Sequence, residues 1–151
     1  MSMLALPESE CQEILELFRE KLPRVPDAWL QELAANYGLG AIVDIDPNDV
    51  IAILSVSGKL HRVQVPLAQH EVPEKVHRRI RDELIVRNIR ADRITSSLLM
   101  IRYSSEATLA DIGNLVWLTT ADCMGNASKG WAWYTPKPLV ASTALTWIFR
   151  S

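Results

Sequence analysis

The sequence is poor in cysteine and glycine, with two cysteines and six glycines among 151 residues. Cys11 and Cys123 are too few and too far apart for the disulfide framework of a small secreted protein or for a structural zinc site. We therefore expect reduced thiols and a cytoplasmic protein. Residues 125–130 begin and end with glycine, but Trp131 follows where a phosphate-binding loop needs lysine. These absences predict no cofactor and no metal.

One acidic segment resembles the start of a calcium-binding loop. Asp44, Asp46 and Asn48 alternate as the first oxygen ligands of an EF-hand do. The twelfth position of that motif needs a bidentate glutamate, and here it is Ser55. We interpret the segment as a turn between two strands, because Asp and Asn side chains bond their own backbone in turns.

The sequence also lacks a long apolar run and a strong net charge. The most apolar late stretch, residues 139–149, contains Ser142, Thr143 and Thr146 and falls short of the ~20 apolar residues of a membrane-spanning helix. The N-terminus has no basic segment of the kind that opens a signal peptide. A net charge of −2 and a pI near 5.9 do not favour nucleic acid or a membrane surface as a partner.

The order of apolar periodicities predicts an α+β fold. We expect an antiparallel sheet of about five strands with helices packed mainly on one of its faces. Residues 1–151 are predicted to form one domain, because no linker or repeat divides them. Its parts are an N-terminal helical pair over residues 9–38, sheet and helices over 40–118, and an aromatic-rich segment over 119–151.

The helical pair has recognisable ends. Ser9 and Gln12 form a capping-box pattern that predicts a helix beginning at Glu10. Asp27 is a good N-cap for a second helix, and Gly38 would supply the left-handed residue after its end.

The middle of the chain predicts a three-strand meander at the centre of the sheet. Residues 41–45 form the first strand, and residues 50–56 are almost wholly apolar, as in a strand that is covered on both faces. Ser57 and Gly58 then suggest a hairpin turn. Pro66 indicates that the returning strand ends there or lies at an edge of the sheet. The later elements are a helix from Pro73, a strand over 94–103, a helix over 105–118 and two strands over 131–134 and 143–149.

Charge is distributed unevenly along the chain. Residues 1–49 carry ten acidic and three basic residues, whereas residues 71–102 carry eight basic and five acidic ones. This asymmetry suggests that the glutamates of the first helix pair with the basic helix, either within the fold or across a dimer.

The basic helix supplies the first group of candidate binding residues. Its apolar stripe is Val76, Ile80 and Leu84, whereas Ile85 and Ile89 lie off that stripe. The helix is therefore covered on two sides or meets a partner. The candidates are Arg78, Arg79, Arg81, Ile85 and Ile89.

The aromatic segment supplies the second group. Four of the five tryptophans lie in the last 35 residues, and Trp131, Trp133 and Tyr134 stand close together in a predicted strand. Aromatic side chains are enriched in binding sites and dominate ordinary cores as well. These three residues are candidates for a partner or ligand site near Cys123.

No catalytic motif is present, so we predict a non-catalytic protein-interaction, adaptor or chaperone-like protein that acts as a homodimer. One alternative is a small-molecule-binding protein or enzyme with a tryptophan-lined pocket near Cys123. Another is nucleic-acid binding through the basic helix over residues 73–90, which the interspersed acids disfavour.

Overall fold

A five-stranded β-sheet divides the molecule, and helices cover both of its faces. The computed structural model describes residues 6–38, 41–43, 45–66, 72–102, 110, 113–114, 117, 128–134 and 144–151, with the backbone alone at 41–43, 128–134 and 144. The helices are α1 (Glu8–Lys21), α2 (Asp27–Asn36), α3 (Pro47–Leu54) and α4 (Pro73–Val86), and a 3-10 turn follows at Ala91–Arg93. The strands are β1 (Ala41–Val43), β2 (Leu60–Pro66), β3 (Ser96–Arg102), β4 (Ser128–Tyr134) and β5 (Ala144–Arg150). The predicted α+β class and the N-terminal helical pair are confirmed, and the sheet has about the expected number of strands, although the predicted strand over 50–56 is not one of them.

The strands lie in the order β1-β4-β3-β5-β2. Neighbours run antiparallel except β3 and β4, which are parallel. Strand β2 is an edge strand that ends at Pro66, as the sequence predicted. This position suits proline, because its nitrogen has no hydrogen to donate to a neighbouring strand.

The central strand β3 separates two cores, because successive strand residues point to opposite faces. Leu99 and Ile101 pack beneath α4 together with Trp147 of β5. Leu98 and Met100 pack on the other face, beneath α1, α2 and α3. Three helices therefore share one face, as predicted, and α4 covers the other.

The predicted meander is wrong, because residues 47–54 form the helix α3. The carboxylate of Asp46 accepts a hydrogen bond from the backbone N–H of Asn48 at 2.8 Å and caps the first turn. Val50, Ile53 and Leu54 are buried at helical spacing. The apolar run that suggested a central strand is thus the buried side of a short helix.

The helix ends also differ from the predictions. Helix α1 begins at Glu8 after Pro7, so Ser9 lies inside it and no side chain caps it. Asp27 is the first residue of α2 rather than its cap. The glycine that needs a positive φ is Gly58, at 124°, where a Cβ would lie 2.8 Å from the carbonyl oxygen of Ser151. Gly38 does not have that conformation.

Some predictions fall partly or wholly outside the described residues. Of the predicted helix over 105–118, the described residues Ala110, Gly113, Asn114 and Trp117 are helical. Cys123 lies outside them. Within the described ranges, no helix combines the length and the apolar character needed to cross a membrane.

Candidate protein-binding surface

Helix α4 lies on the sheet through a narrow apolar stripe. Val76, Ile80 and Leu84 are buried against Val63 and Val65 of β2 and against the neighbouring strands. Pro73 lies in the first turn, where backbone N–H groups have no partner within the helix, so its missing N–H costs no hydrogen bond. The remaining faces of the helix are free to carry charge.

Two arginines tie α4 to the edge strand β2. Arg79 Nη2 donates to the carbonyl oxygen of Pro66 at 3.0 Å, and Arg87 Nη1 donates to the carbonyl oxygen of Arg62 at 2.7 Å. Exposed edge strands invite pairing with other chains, and a covered edge does not. Arg79, a predicted binding residue, therefore contributes to the packing of α4 on the sheet.

The C-terminus of α4 is closed by a Schellman motif. The N–H of Ile89 donates to the carbonyl oxygen of Leu84 at 2.9 Å, and the N–H of Asn88 donates to that of Ile85 at 3.0 Å. Asn88 adopts the left-handed conformation that this motif requires, with a φ of 56°. The chain reverses here, and Ile89 packs half-buried on the same core as Leu84. Ile89 therefore has a cover within the chain.

Ile85 and Val86, at the end of α4, have no such cover. Their exposed fractions are 73% and 82%. Arg78 and Arg81 are exposed at positions i−7 and i−4 from Ile85, which places them on the same side of the helix. We call Lys75, Arg78, Arg81, Ile85 and Val86 the α4 outer surface. It combines cations with two large aliphatic side chains in contact with solvent, and the exposed carboxylate of Asp82 lies between them, at i−3 from Ile85 and i−4 from Val86.

The glutamates of α1 do not meet this surface within the fold. Phe18 of α1 packs with Leu98 and Met100, whereas Ile80 of α4 packs with Leu99 on the opposite face of the sheet. The prediction that α1 and α4 pair within one chain is wrong, because the sheet stands between them. Pairing across two molecules remains a prediction.

The aromatic candidates are located by their backbone. In β4, Trp131 pairs with Leu99, Trp133 with Ile101 and Tyr134 with Arg102 of β3. The contacts of these three side chains lie outside what the structure describes. A pocket near Cys123 therefore stays a prediction.

A cleft lies between α1 and α2, and no pattern in the sequence predicts it. It has a volume of about 380 Å³, and its lining residues are Leu6, Glu8, Cys11, Gln12, Leu15, Gln31, Ala34, Ala35 and Gly38. Burial, followed by the charges of Glu10 and Glu8, raises the pKa of the Cys11 thiol. A raised pKa disfavours the thiolate, so Cys11 is not set up as a nucleophile.

A polar network beneath α2 was also missed. Arg62 Nη2 donates to Glu32 Oε2 at 2.8 Å, and the two side chains are 23% and 22% exposed. Thr146 Oγ1 lies 3.5 Å from Glu32 Oε1 and accepts a hydrogen bond from Gln64 at 3.1 Å. These bonds join α2 to strands β2 and β5, so the network orients α2 on the sheet. The signal in the sequence was the pair of polar residues on one face of an otherwise apolar strand.

His61 belongs to the core under α4 rather than to a metal site. Its ring stacks on Phe149 with the centroids 5.0 Å apart, and its Nε2 lies 2.7 Å from Ser151 Oγ. Burial, with smaller contributions from Lys59 and Arg87, lowers its pKa. Among the described residues, no three His, Cys, Asp or Glu side chains are grouped so that they could hold a metal ion.

Comparison with known proteins gives information on the fold alone. No protein-family model and no curated protein matches the chain. An FtsZ dimer from M. jannaschii superposes with a TM-score of 0.67 over 91% of this chain and 43% of that one, at 15% identity. A point mutant of M. jannaschii FtsZ gives a TM-score of 0.62 over 90% of this chain and 44% of that one, at 17% identity. The chain thus spans less than half the length of these FtsZ chains, and the likeness shows the fold alone.

Proposed function

We propose that this chain is a non-catalytic, adaptor-type protein that works by binding protein through the α4 outer surface, with a second copy of itself as the first partner. The observation that carries the proposal is the exposure of Ile85 and Val86, at 73% and 82%. Two adjacent aliphatic side chains beside several cations form the mixture found in the centre and rim of a protein interface. We expect the protein to work in the cytoplasm, where its two thiols stay reduced.

The anchoring of α4 supports this proposal. The buried stripe, the bonds from Arg79 and Arg87 to β2 and the motif at Asn88 hold the helix in one position on the sheet. A surface held in this way loses little freedom when it binds, which lowers the entropic cost of association. The FtsZ structure with the similar fold is a dimer. At 15% identity that fact lends no weight, and the proposal rests on α4.

Sedimentation velocity over a range of protein concentrations tests the proposal. We expect the wild-type chain to self-associate and Ile85→Asp to weaken this association by more than tenfold, because a buried isoleucine contributes roughly 1.5–3 kcal/mol. Ala52→Asp, which adds the same charge at an exposed position of α3, is the matched control and should associate like wild type. A wild-type chain that stays monomeric at every concentration would end the self-association proposal.

The cleft beside Cys11 favours a second candidate function, the binding of a small molecule. Its volume of about 380 Å³ lies in the range of ligand pockets. Ala35 lines it and is exposed, so Ala35→Leu should fill the cleft at little cost to folding. Thermal-shift screening of a metabolite library should then give ligands that stabilise the wild type and not Ala35→Leu. A library without such hits would remove this candidate.

A further inference from the structure

The charges of α4 limit which surface of a second copy can contact this helix. On the side of α4 that faces away from the sheet, the exposed charged residues are Lys75, Arg78 and Arg81 against Glu74 and Asp82, so this side has a small net positive charge. A twofold contact of α4 with α4 would bring two surfaces of the same net charge together, and like charges facing each other destabilise an interface. A second copy should therefore offer a different surface, and one of opposite charge.

Helix α1 offers that surface. It carries five glutamates against Arg19 and Lys21. Its outer side forms a shallow depression of about 670 Å³, which we call the α1 outer surface and which is lined by Gln12, Glu13, Glu16, Leu17, Arg19 and Glu20. Leu17 is half-buried among these polar residues, and Glu13 and Glu20 are exposed. An apolar floor with an acidic rim is complementary to two aliphatic side chains whose surrounding charges are basic on balance.

The placement of the two surfaces fixes the symmetry of the contact. Helix α1 belongs to the core that contains Leu98 and Met100, and α4 belongs to the core that contains Leu99 and Ile101, so the sheet separates them. A closed twofold dimer uses one patch that is shared by both copies. Surfaces on opposite sides of a molecule cannot both lie in one such patch. A contact between them is heterologous, so an assembly that does not close into a ring has one unoccupied surface of each kind.

We infer that copies of this chain associate head to tail, with Ile85 and Val86 of one copy seated in the acid-rimmed α1 outer surface of the next. This inference rests on the self-association proposed above and names its second surface. The smallest assembly is a dimer with one occupied and one unoccupied surface of each kind. Larger assemblies repeat the same contact.

Two single-surface variants test this arrangement. Ile85→Asp removes the α4 outer surface and leaves α1 intact, and the double variant Glu13→Lys/Glu20→Lys removes the α1 outer surface and leaves α4 intact. All three positions are exposed, so circular dichroism should give unchanged helix content and unchanged thermal unfolding. We expect each variant alone to be monomeric by sedimentation velocity. We expect their 1:1 mixture to form a dimer that does not grow, while the wild type grows beyond a dimer with concentration.

The possible outcomes separate this inference from the proposal on which it rests. If Glu13→Lys/Glu20→Lys alone still forms dimers, the α1 outer surface is not the second surface of the contact, so the head-to-tail inference fails and the self-association proposal stands. If the wild type is monomeric, both fail. Glu13→Gln/Glu20→Gln keeps the shape of the rim without its charge and should weaken association less than the lysine variant does. Added salt should weaken the wild-type contact, because exposed charge pairs are screened.

Discussion

Arg102, at the end of the central strand β3, donates a hydrogen bond from Nη2 to the side-chain oxygen of Asn36 at 2.9 Å. Asn36 is the last residue of α2 and is 2% exposed. Its amide nitrogen lies 3.0 Å from the sulfur of Met100. A polar side chain this deeply buried is stable only where its hydrogen bonds are satisfied, so the strand and the helix fix each other's position.

Replacing Asn36 with alanine should therefore destabilise the protein by about 1–3 kcal/mol, because Arg102 would lose its partner in a partly buried site. Urea unfolding measures this change. The double variant Asn36→Leu/Arg102→Met removes both polar groups. It should lose less stability than the sum of the losses in Asn36→Leu and Arg102→Met measured singly. Strict additivity would show that the two residues do not act together.

Asn88 gives a second prediction, which concerns backbone conformation. With a φ of 56°, it stands in a region that β-branched residues avoid at a cost of roughly 1–2 kcal/mol. Asn88→Val should lower the free energy of unfolding by about that amount. Asn88→Gly is the matched control and should stay within about 0.5 kcal/mol of wild type. Equal stability of the two variants would contradict the proposed role of the left-handed residue.

His61 gives a prediction about pH. Its pKa in the folded protein lies below the ordinary value of 6.5, because burial disfavours the charged ring. The unfolded chain then binds more protons than the folded one between these two pKa values, so stability rises with pH there. The contribution of His61 is fully present above about pH 6.5 and is lost as the pH falls toward the folded pKa. In His61→Gln, the slope of unfolding free energy against pH should be smaller over this window, and an unchanged slope would refute the assignment.

Cys11 gives a prediction about reactivity. Its thiol pKa lies above the ordinary value of 9.0, because of burial and then because of Glu10 and Glu8. In a Cys123→Ser background, iodoacetamide should alkylate Cys11 more slowly at pH 8 than it alkylates a free cysteine, and the rate should rise further into alkaline pH. Denatured protein is the reference for full reactivity. Alkylation at the rate of a free thiol would show that the folded protein does not suppress the thiolate.

The sequence predicted the elements better than their arrangement. Val76, Ile80 and Leu84 repeat at helical spacing with charged residues around them, and the helix that they predicted is present. Residues 50–54 are all apolar, so periodicity could not distinguish a buried strand from a short buried helix. Asp46 followed by Pro47 is typical of a helix N-terminus, and this signal could have distinguished the helix from a strand.

The candidate surface was predictable in part for the same reason. Ile85 lies off the apolar stripe of α4, and a helical wheel is enough to find it there. Ile89 lies beyond the helix, where the reversal at Asn88 brings it back to the core. The partners of Arg62 and Arg102 come from α2, 30 and 66 residues away. A local sequence pattern cannot predict such contacts, because it is the chain topology that brings these residues together.

The order of the strands has a consequence for the folding of the chain. Strand β5 lies between β2 and β3, although it follows both of them in the sequence. Until residues 144–150 have been made, β2 and β3 have no strand between them, and the core under α4 lacks Leu145, Trp147 and Phe149. Both cores contain residues of β5, so neither core is complete before β5 is inserted between β2 and β3. Contacts between residues so far apart in the sequence form slowly, so we expect the insertion of β5 to be a slow step of folding.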